Sequence, residues 1–331
     1  MPTIVPYTYE KKEEKALYFT SLVKGMKVLI ATEKPFARKA VDGITEILKA
    51  AEYEVVLLEK YTDKGELLAA VADVDAMIVR SDKVTKEVLD AAKNLKIVVR
   101  AGAGYDNVDC EEATKRGVVV MNTPGQNANA VAELALCFMI YMSRNQLTPG
   151  TGCELMGKTL GIHAYGNIGR LVANKGKALG MNVIASSRSI SKDAFAAENI
   201  EKMDSVADLY KRSDYLSLHI PSNAETNGSI GYDLVVSMPK GATLINTARK
   251  EVIDEEGLMK ALEEREDLKY VTDIAPVRAA EFAEKFGKRY FATPKKQGAE
   301  TAEANINAGL AAARQIVDYF VNGNTRFQVN K

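Results

Sequence analysis

The sequence predicts an α/β protein made of two doubly wound domains, each built around a parallel sheet. Three observations lead there. Short β-rich runs alternate with helical patterns almost from end to end, as βαβ units require. The chain has 331 residues, and domains usually hold ~100–200, so two are expected. Thr123-Pro124-Gly125 places a turn signal between a first and a second series of these alternations. In such folds ligands collect off the carboxyl ends of the strands, here expected between the two domains.

In chain order, the first series has strands at 27–31, 54–58, 76–80, 96–100 and 118–122, all rich in Val, Ile and Leu. Helical patterns near 38–50, 64–72, 85–93 and 109–116 lie between them. The apolar-striped segment 128–143 reads as a buried helix. The second series has strands at 159–165, 182–186, 215–220, 243–246, 270–274 and 290–292, with helices near 168–180, 205–212 and 254–265. A final Ala-rich helix is expected over 300–320. Residues 1–25, with their Glu-Lys-Lys-Glu-Glu-Lys run, read as an appendage to which no function is assigned.

Composition excludes several classes. Lys plus Arg and Asp plus Glu are both 44, so the global basic footprint of a nucleic-acid binder is absent and local clusters must carry any anion binding. The longest apolar stretch, 130–142, contains Glu133 and falls short of the ~20 residues of a membrane span. Cys110, Cys137 and Cys153 form no CxxC pair, which points to a reducing, cytoplasmic setting without a metal site.

The first chemical signal is Ala164-Tyr165-Gly166-Asn167-Ile168-Gly169, set between an expected strand and an expected helix. Gly166 lets backbone approach a pyrophosphate, Gly169 permits close helix–strand packing, and the helix start supplies N–H donors with a positive dipole end. The pattern is weaker than GxGxxG because the tight-turn glycine is Ala164. At the end of the next strand, where an NAD-selecting fold places Asp or Glu, stand Ser187 and Arg188. A hydroxyl and a guanidinium suit a 2′-phosphate, so the cofactor expected is NADP or NAD, with NADP(H) favoured. The blander reading is a surface arginine beside a loosely bound NAD.

With that turn in place the rest of the chain becomes recognisable. Val79-Arg80-Ser81, Val99-Arg100-Ala101-Gly102-Ala103-Gly104-Tyr105-Asp106-Asn107-Val108-Asp109, Asn122-Thr123-Pro124-Gly125, Val131-Ala132-Glu133-Leu134, His219-Ile220-Pro221, Asn246-Thr247-Ala248-Arg249 and Thr272-Asp273 are specific together. From about residue 26 onward the chain resembles the D-isomer-specific 2-hydroxyacid dehydrogenases, and within them the members that oxidise D-3-phosphoglycerate. The resemblance implies a Rossmann cofactor domain, at about 124–297, inserted into a flavodoxin-like substrate domain formed by 26–123 and 298–331. The helices at 128–143 and 300–320 would then act as hinges, and a homodimer would form through the inserted domain.

The resemblance also assigns roles. Arg249 would grip the substrate carboxylate and polarise the oxygen on the reacting carbon, which suits a planar fork of donors. Arg80, Ser81 and Arg100, with backbone N–H groups at Ala101 and Gly102, would take substrate phosphate and carboxylate. The alternative for both arginines is a domain-internal salt bridge. Arg144 could reach a partner's substrate phosphate. Tyr165, Gly166, Asn167, Ile168, Gly169, Ser187, Arg188, His219, Pro221, Thr226, Thr247 and Ala248 would line the cofactor, and Asp273 would meet the nicotinamide carboxamide. His219 is equally readable as a satisfied strand histidine, and His163 reads as structural.

Two departures bear on mechanism. The family's general acid/base histidine follows Thr-Pro and pairs with a glutamate five residues beyond the Asp273 position. Here Thr293-Pro294 is followed by Lys295-Lys296, and Arg278 occupies the glutamate's place. Counting forward from Thr-Pro selects Lys295; counting back from Gly298-Ala299-Glu300-Thr301 selects Lys296, which is preferred. Arg278 would assist a neutral lysine only if its side chain pointed into the site. The activity expected is oxidation of D-3-phosphoglycerate to 3-phosphohydroxypyruvate, the first step of phosphorylated serine biosynthesis. The alternatives are an NADPH-dependent glyoxylate or hydroxypyruvate reductase and, from another class, a non-catalytic dinucleotide-sensing corepressor.

Overall fold

The structure is a computed structural model that describes residues 25–331; the N-terminal appendage, apart from Gly25, lies outside the described residues. The chain divides into two compact units, one of residues up to Asn127 plus Ala302–Lys331, the other Ala128–Thr301. The second unit is thus a continuous stretch inserted into the first, four residues later at each end than 124–297.

In the first unit, strands β1 (Lys27–Thr32), β2 (Glu54–Glu59), β3 (Ala76–Val79), β4 (Ile97–Arg100) and β5 (Val119–Asn122) form an all-parallel sheet in the order β2-β1-β3-β4-β5. That is the flavodoxin-like order. Helices α1 (Arg38–Ala50), α2 (Lys64–Val71), α3 (Lys86–Ala91) and α4 (Cys110–Lys115) make the crossovers. The central strands are sealed on both faces, which explains their unbroken apolar runs: every residue of β3 is buried. The C-terminal helix Ala302–Asn322 returns to this sheet and packs along α1. Glycine permits the close approach at two points. A Cβ on Gly309 would lie 2.8 Å from Ile44 Cδ1, and one on Gly43 would lie 2.7 Å from Leu310 Cδ2.

The second unit begins with α5 (Ala128–Ser143). Strands β6 (Thr159–His163), β7 (Asn182–Ser186), β8 (Glu201–Lys202), β9 (Tyr215–Leu218), β10 (Thr243–Asn246), β11 (Lys269–Thr272) and β12 (Tyr290–Ala292) follow. They form a parallel sheet in the order β12-β11-β10-β9-β6-β7-β8, two mononucleotide-binding halves extended by one strand. Helices α6 (Asn167–Ala178), α7 (Lys192–Ala197), α8 (Val206–Lys211), α9 (Tyr232–Val236), α10 (Glu255–Glu264) and α11 (Ala279–Phe286) cover its faces. The C-terminal helix of the chain is α12.

The predicted class, two doubly wound parallel sheets, is the observed one. In this second unit three predicted strands end early for local reasons. The run 159–165 stops at His163 because Ala164 takes a left-handed conformation, φ 81°. The run 215–220 stops at Leu218, short of Pro221, and 270–274 is shifted to Lys269–Thr272. Helices α7, α9 and α11 and the two-residue β8 were not anticipated.

Candidate functional site

In the second unit six consecutive strand ends lie side by side, and the residue that follows five of them carries a polar side chain. Along the sheet order the six are Thr293, Asp273, Thr247, His219, Ala164 and Ser187. The ladder continues into most of them: Thr293 N–H donates to Thr272 O, Asp273 N–H to Asn246 O, His219 N–H to His163 O and Ala164 N–H to Ser186 O.

The β6–α6 turn has the features of an anion cradle. A Cβ on Gly166 would meet nothing within 4 Å, so the space over it is open. A Cβ on Gly169 would lie 2.3 Å from Ala164 O, so only glycine lets the first turn of α6 close onto the strand end. No side chain caps α6, which leaves its first N–H groups and dipole end for a ligand. Ala164 bears the strain that glycine would avoid in this turn.

Farther along the strand ends, two polar atoms are sealed from solvent with no described partner: His219 Nδ1 and Thr247 Oγ1. Buried polar atoms are usually paired, so both are suited to meet a bound molecule. The open cradle and the orphaned atoms together fit a dinucleotide. His219 Nε2 lies 3.0 Å from Ser217 Oγ, and His163 Nδ1 lies 3.3 Å from Tyr210 OH, in keeping with a structural role for His163. Burial lowers the pKa of His163 to about 4; burial, helped by the His163 charge, lowers that of His219 to about 3.

Other expected cofactor residues are occupied elsewhere. The Tyr165 ring is buried, 4.8 Å from that of Phe195, and its hydroxyl donates to Glu198 Oε2 at 2.7 Å, so the ring does not serve a ligand. Glu198 also takes the Arg170 guanidinium, which lies over that ring. Thr226 Oγ1 accepts from Asn223 N–H and donates to Pro221 O, so it closes its own loop. Asn167, Gly166 and Pro221 are exposed, while Ile168 and Ser187 are half-buried. Exposed Arg188 pairs with Glu225 at 2.5 Å, a carboxylate the sequence reading did not consider.

Arg249 follows β10 after Thr247 and Ala248, on a turn pinned by one side chain. Asn246 Nδ2 donates to Arg249 O at 2.9 Å, and Asn246 Oδ1 accepts from Ala248 N–H at 2.9 Å. The Ala248 amide expected to contact a ligand is therefore used by Asn246. Half-buried Arg249 gives one hydrogen bond to Ala248 O and has no carboxylate within salt-bridge reach among the described residues. Lys295 and Lys296 are exposed on the loop after β12. Arg278 does not behave as the sequence reading required. Its guanidinium pairs with Glu281 on its own helix, at the start of α11. Arg144 is exposed just after α5.

In the first unit, Arg80 follows β3 and is held by neutral acceptors. Its Nη2 donates to Asn305 Oδ1 at 2.6 Å, and its Nη1 to Lys34 O and Pro35 O at 3.3 Å. The guanidinium carbon stands 5.3 Å from the Phe36 ring centre. No carboxylate among the described residues pairs with it, so the salt-bridge alternative does not hold for Arg80. Beneath it, buried Asp82 accepts from Glu33 N–H at 2.6 Å, Tyr61 OH at 2.7 Å and Arg80 N–H at 3.3 Å, and Asn107 holds Arg80 O and Asp82 O. Arg100 Nε donates to Arg80 O at 2.9 Å, and its guanidinium lies against Gly102: a Cβ there would fall 1.6 Å from Nη1. Ser81 is exposed, whereas the Ala101 N–H expected to face substrate donates to Val79 O. Sequence reasoning missed Asp82, Asn305 and Asn246; the Asp two residues after Arg80, at a strand end, was the one visible sign.

The family described as D-isomer specific 2-hydroxyacid dehydrogenase, catalytic domain, matches residues 32–330, and the chain belongs to it. It is 37% identical over 275 residues to a D-3-phosphoglycerate dehydrogenase of Methanocaldococcus jannaschii, across 76% of this chain and 51% of that protein. The chain thus spans about half the length of that relative. It is 35% identical to a hydroxypyruvate reductase of Thermotoga maritima, across 82% of this chain and 93% of the relative. A crystal structure of NAD+-bound 3-phosphoglycerate dehydrogenase in Entamoeba histolytica is similar at 48% identity and a TM-score of 0.81, covering 93% of this chain and 99% of that one.

The histidines give a pH prediction. Both have pKa values below the ~6.5 of an exposed histidine, so above that pH both folded and unfolded states are neutral and nothing changes. Below it the unfolded chain takes up protons first, and stability falls as pH drops toward the folded values, by at most ~1.4 kcal/mol per pH unit for each histidine. Urea unfolding of wild type and His163→Gln between pH 7.5 and 5 should show a shallower loss in the variant. Equal slopes would mean that His163 is not held neutral by burial.

Proposed function

We propose that the protein oxidises D-3-phosphoglycerate to 3-phosphohydroxypyruvate with a nicotinamide dinucleotide, the first step of phosphorylated serine biosynthesis. The observation that carries this reading is Arg80, a cation at a strand end with neutral hydrogen-bond partners and an aromatic ring behind it. A guanidinium without a carboxylate partner keeps its charge for an anion, and a phosphorylated acid needs a cationic pole besides the one that takes its carboxylate. The phosphoglycerate dehydrogenases among the relatives support the same substrate.

In this reading Arg249 binds the carboxylate and stabilises negative charge growing on the oxygen as the carbinol becomes a carbonyl. Arg80 and Arg100 take the phosphate. Lys296, or Lys295 beside it, accepts the hydroxyl proton through Nζ, which requires a neutral amine. The bound dinucleotide would supply the hydride acceptor, with its pyrophosphate on the first turn of α6 and with His219 Nδ1 and Thr247 Oγ1 meeting its polar groups. The second unit is thus the dinucleotide domain and the first the substrate domain.

The choice between NAD and NADP turns on Ser187 and Arg188. The Arg188–Glu225 pair is exposed and worth little, about 0–1 kcal/mol, so Arg188 remains open to a 2′-phosphate that Glu225 nonetheless repels. Use of both cofactors follows. A second reading, reduction of hydroxypyruvate or glyoxylate, is favoured by the Thermotoga maritima relative, matched over nearly its whole length.

One assay separates the readings: reduction of phosphohydroxypyruvate, hydroxypyruvate and glyoxylate with NADH and with NADPH. Phosphohydroxypyruvate should have the highest kcat/KM. Arg80→Ala should lower that value roughly ten- to hundredfold, the loss of one charge-assisted contact, and spare hydroxypyruvate. Equal losses on both substrates would remove the phosphate role.

For the acid/base, Lys296→Met and Lys295→Met are to be compared in single-turnover hydride transfer at saturating substrate. Loss of roughly a hundredfold or more is expected in one of them, Lys296 first. If both differ from wild type in affinity alone, the lysine mechanism fails.

A homodimer through the second unit completes the proposal. An apolar groove of about 400 Å³ is lined by Leu136, Cys137, Ile140, Tyr141 and Leu147, with Ile140 45% and Leu147 75% exposed. Such a face suits a second copy of the chain. Sedimentation should give a dimer for wild type and a monomer for Ile140→Glu; a monomeric wild type removes this part.

A further inference from the structure

The geometry points to Asp273 as the positioning residue of the lysine loop. Its carboxylate is buried, 1% exposed, at the end of β11. Oδ1 accepts from Gln297 N–H at 2.8 Å and Oδ2 from Gly298 N–H at 2.8 Å. The single Thr293 hydroxyl proton goes to Asp273 O at 2.6 Å, with Oδ1 at 3.1 Å from the same oxygen. Asp273, through its carbonyl and its carboxylate, therefore stakes the chain immediately before Pro294 and immediately after Lys296. The three exposed residues between, Pro294, Lys295 and Lys296, form a short arch fixed at both feet.

The surroundings leave little slack in that anchor. A Cβ on Gly298 would lie 2.8 Å from Asp273 Oδ2 and 3.4 Å from Val131 Cγ2, so the backbone N–H reaches the carboxylate because position 298 has no side chain. Asp273 N–H is itself tied to Asn246 O, the strand end that also pins the Arg249 turn. Asn246 and Asp273 thus link the backbone of the arginine turn to the backbone of the lysine loop through adjacent strands. Asparagine in place of Asp273 would set an NH₂ against one of the two backbone donors and leave it without an acceptor. Proton transfer requires the lysine Nζ to stay within hydrogen-bond reach of the substrate hydroxyl, so loosening the arch should cost rate rather than dinucleotide affinity.

This inference rests on the proposed dehydrogenase reading for its catalytic consequence, but its structural half is read without turnover. Hydrogen exchange of the peptide spanning 293–300, measured on the full chain without dinucleotide, should be roughly ten- to hundredfold faster in Asp273→Asn and in Gly298→Ala, the factor expected for a charge-assisted bond lost. Unchanged exchange overturns the anchor. Should Asp273→Asn not fold, Gly298→Ala decides alone. With phosphohydroxypyruvate saturating, kcat of Gly298→Ala should fall at least about tenfold while its KM for dinucleotide stays within about threefold. A Gly298→Ala enzyme with unchanged kcat would overturn the proposal. If wild type turns over none of the three acids, the dehydrogenase reading fails, and the exchange result still stands or falls by itself.

Discussion

Parallel strands all leave the sheet on one edge, and that constraint organises everything chemical in this molecule. A chain entering each strand from the same side must turn at the same end, so residues far apart in sequence emerge as neighbours. In the second unit the result is a row from Thr293 through Asp273, Thr247, His219 and Ala164 to Ser187, each the first residue past its strand. In the first unit Arg80 stands in the same position after β3, and Arg100 is the last residue of β4. The ladder does not stop where the strands stop. Bonds such as Asp273 N–H to Asn246 O carry its register into the turns, so the backbone of the site is fixed by the sheet before any side chain contributes.

What the side chains add is mostly restraint. Asn246 closes the Arg249 turn, Asp82 and Asn107 hold the Arg80 turn, and Asp273 holds the lysine arch. Each is an acceptor or amide answering backbone groups that a loop would otherwise expose, where an unpaired buried group costs ~1–3 kcal/mol. The cations they support are treated differently. Arg249 and Arg80 have no carboxylate partner among the described residues, whereas Arg188 and Arg278 are paired on the surface. Charge left uncompensated at a strand end is what an anionic substrate requires.

The sequence was most legible where structure is local. Buried parallel strands write themselves as continuous Val, Ile and Leu runs, and 182–186, 243–246 and 290–292 match β7, β10 and β12 at both ends. Gly166 and Gly169 differ in their surroundings: the space over the first is open, and the second lies close against Ala164 O. Short helices such as α9, only five residues long, carry too few turns to show a period. Within the site, residue types at strand ends were visible and their partners were not. Asn305 lies 225 positions from Arg80 in sequence, and Gln297 lies 24 from Asp273. No local pattern encodes a pairing made by returning chain.

Arg278 shows how a residue's type can mislead when its partner is unknown. A cation in place of a glutamate suggested a means of favouring a neutral lysine, yet Glu281, three residues on, takes that guanidinium. The helix start explains why. Glu255 accepts both the Val277 and Arg278 N–H groups, which fixes the backbone ahead of α11, and the i,i+3 spacing then brings Glu281 beside the arginine. That guanidinium is thus turned to a carboxylate of its own helix, and a different residue shapes the lysine loop. Asp273 accepts the Gln297 and Gly298 N–H groups and its carbonyl takes the Thr293 hydroxyl, so the backbone of Pro294-Lys295-Lys296 is held on both sides. The position of the two lysines therefore depends on a buried carboxylate at the end of another strand, which residue type on the loop could not reveal.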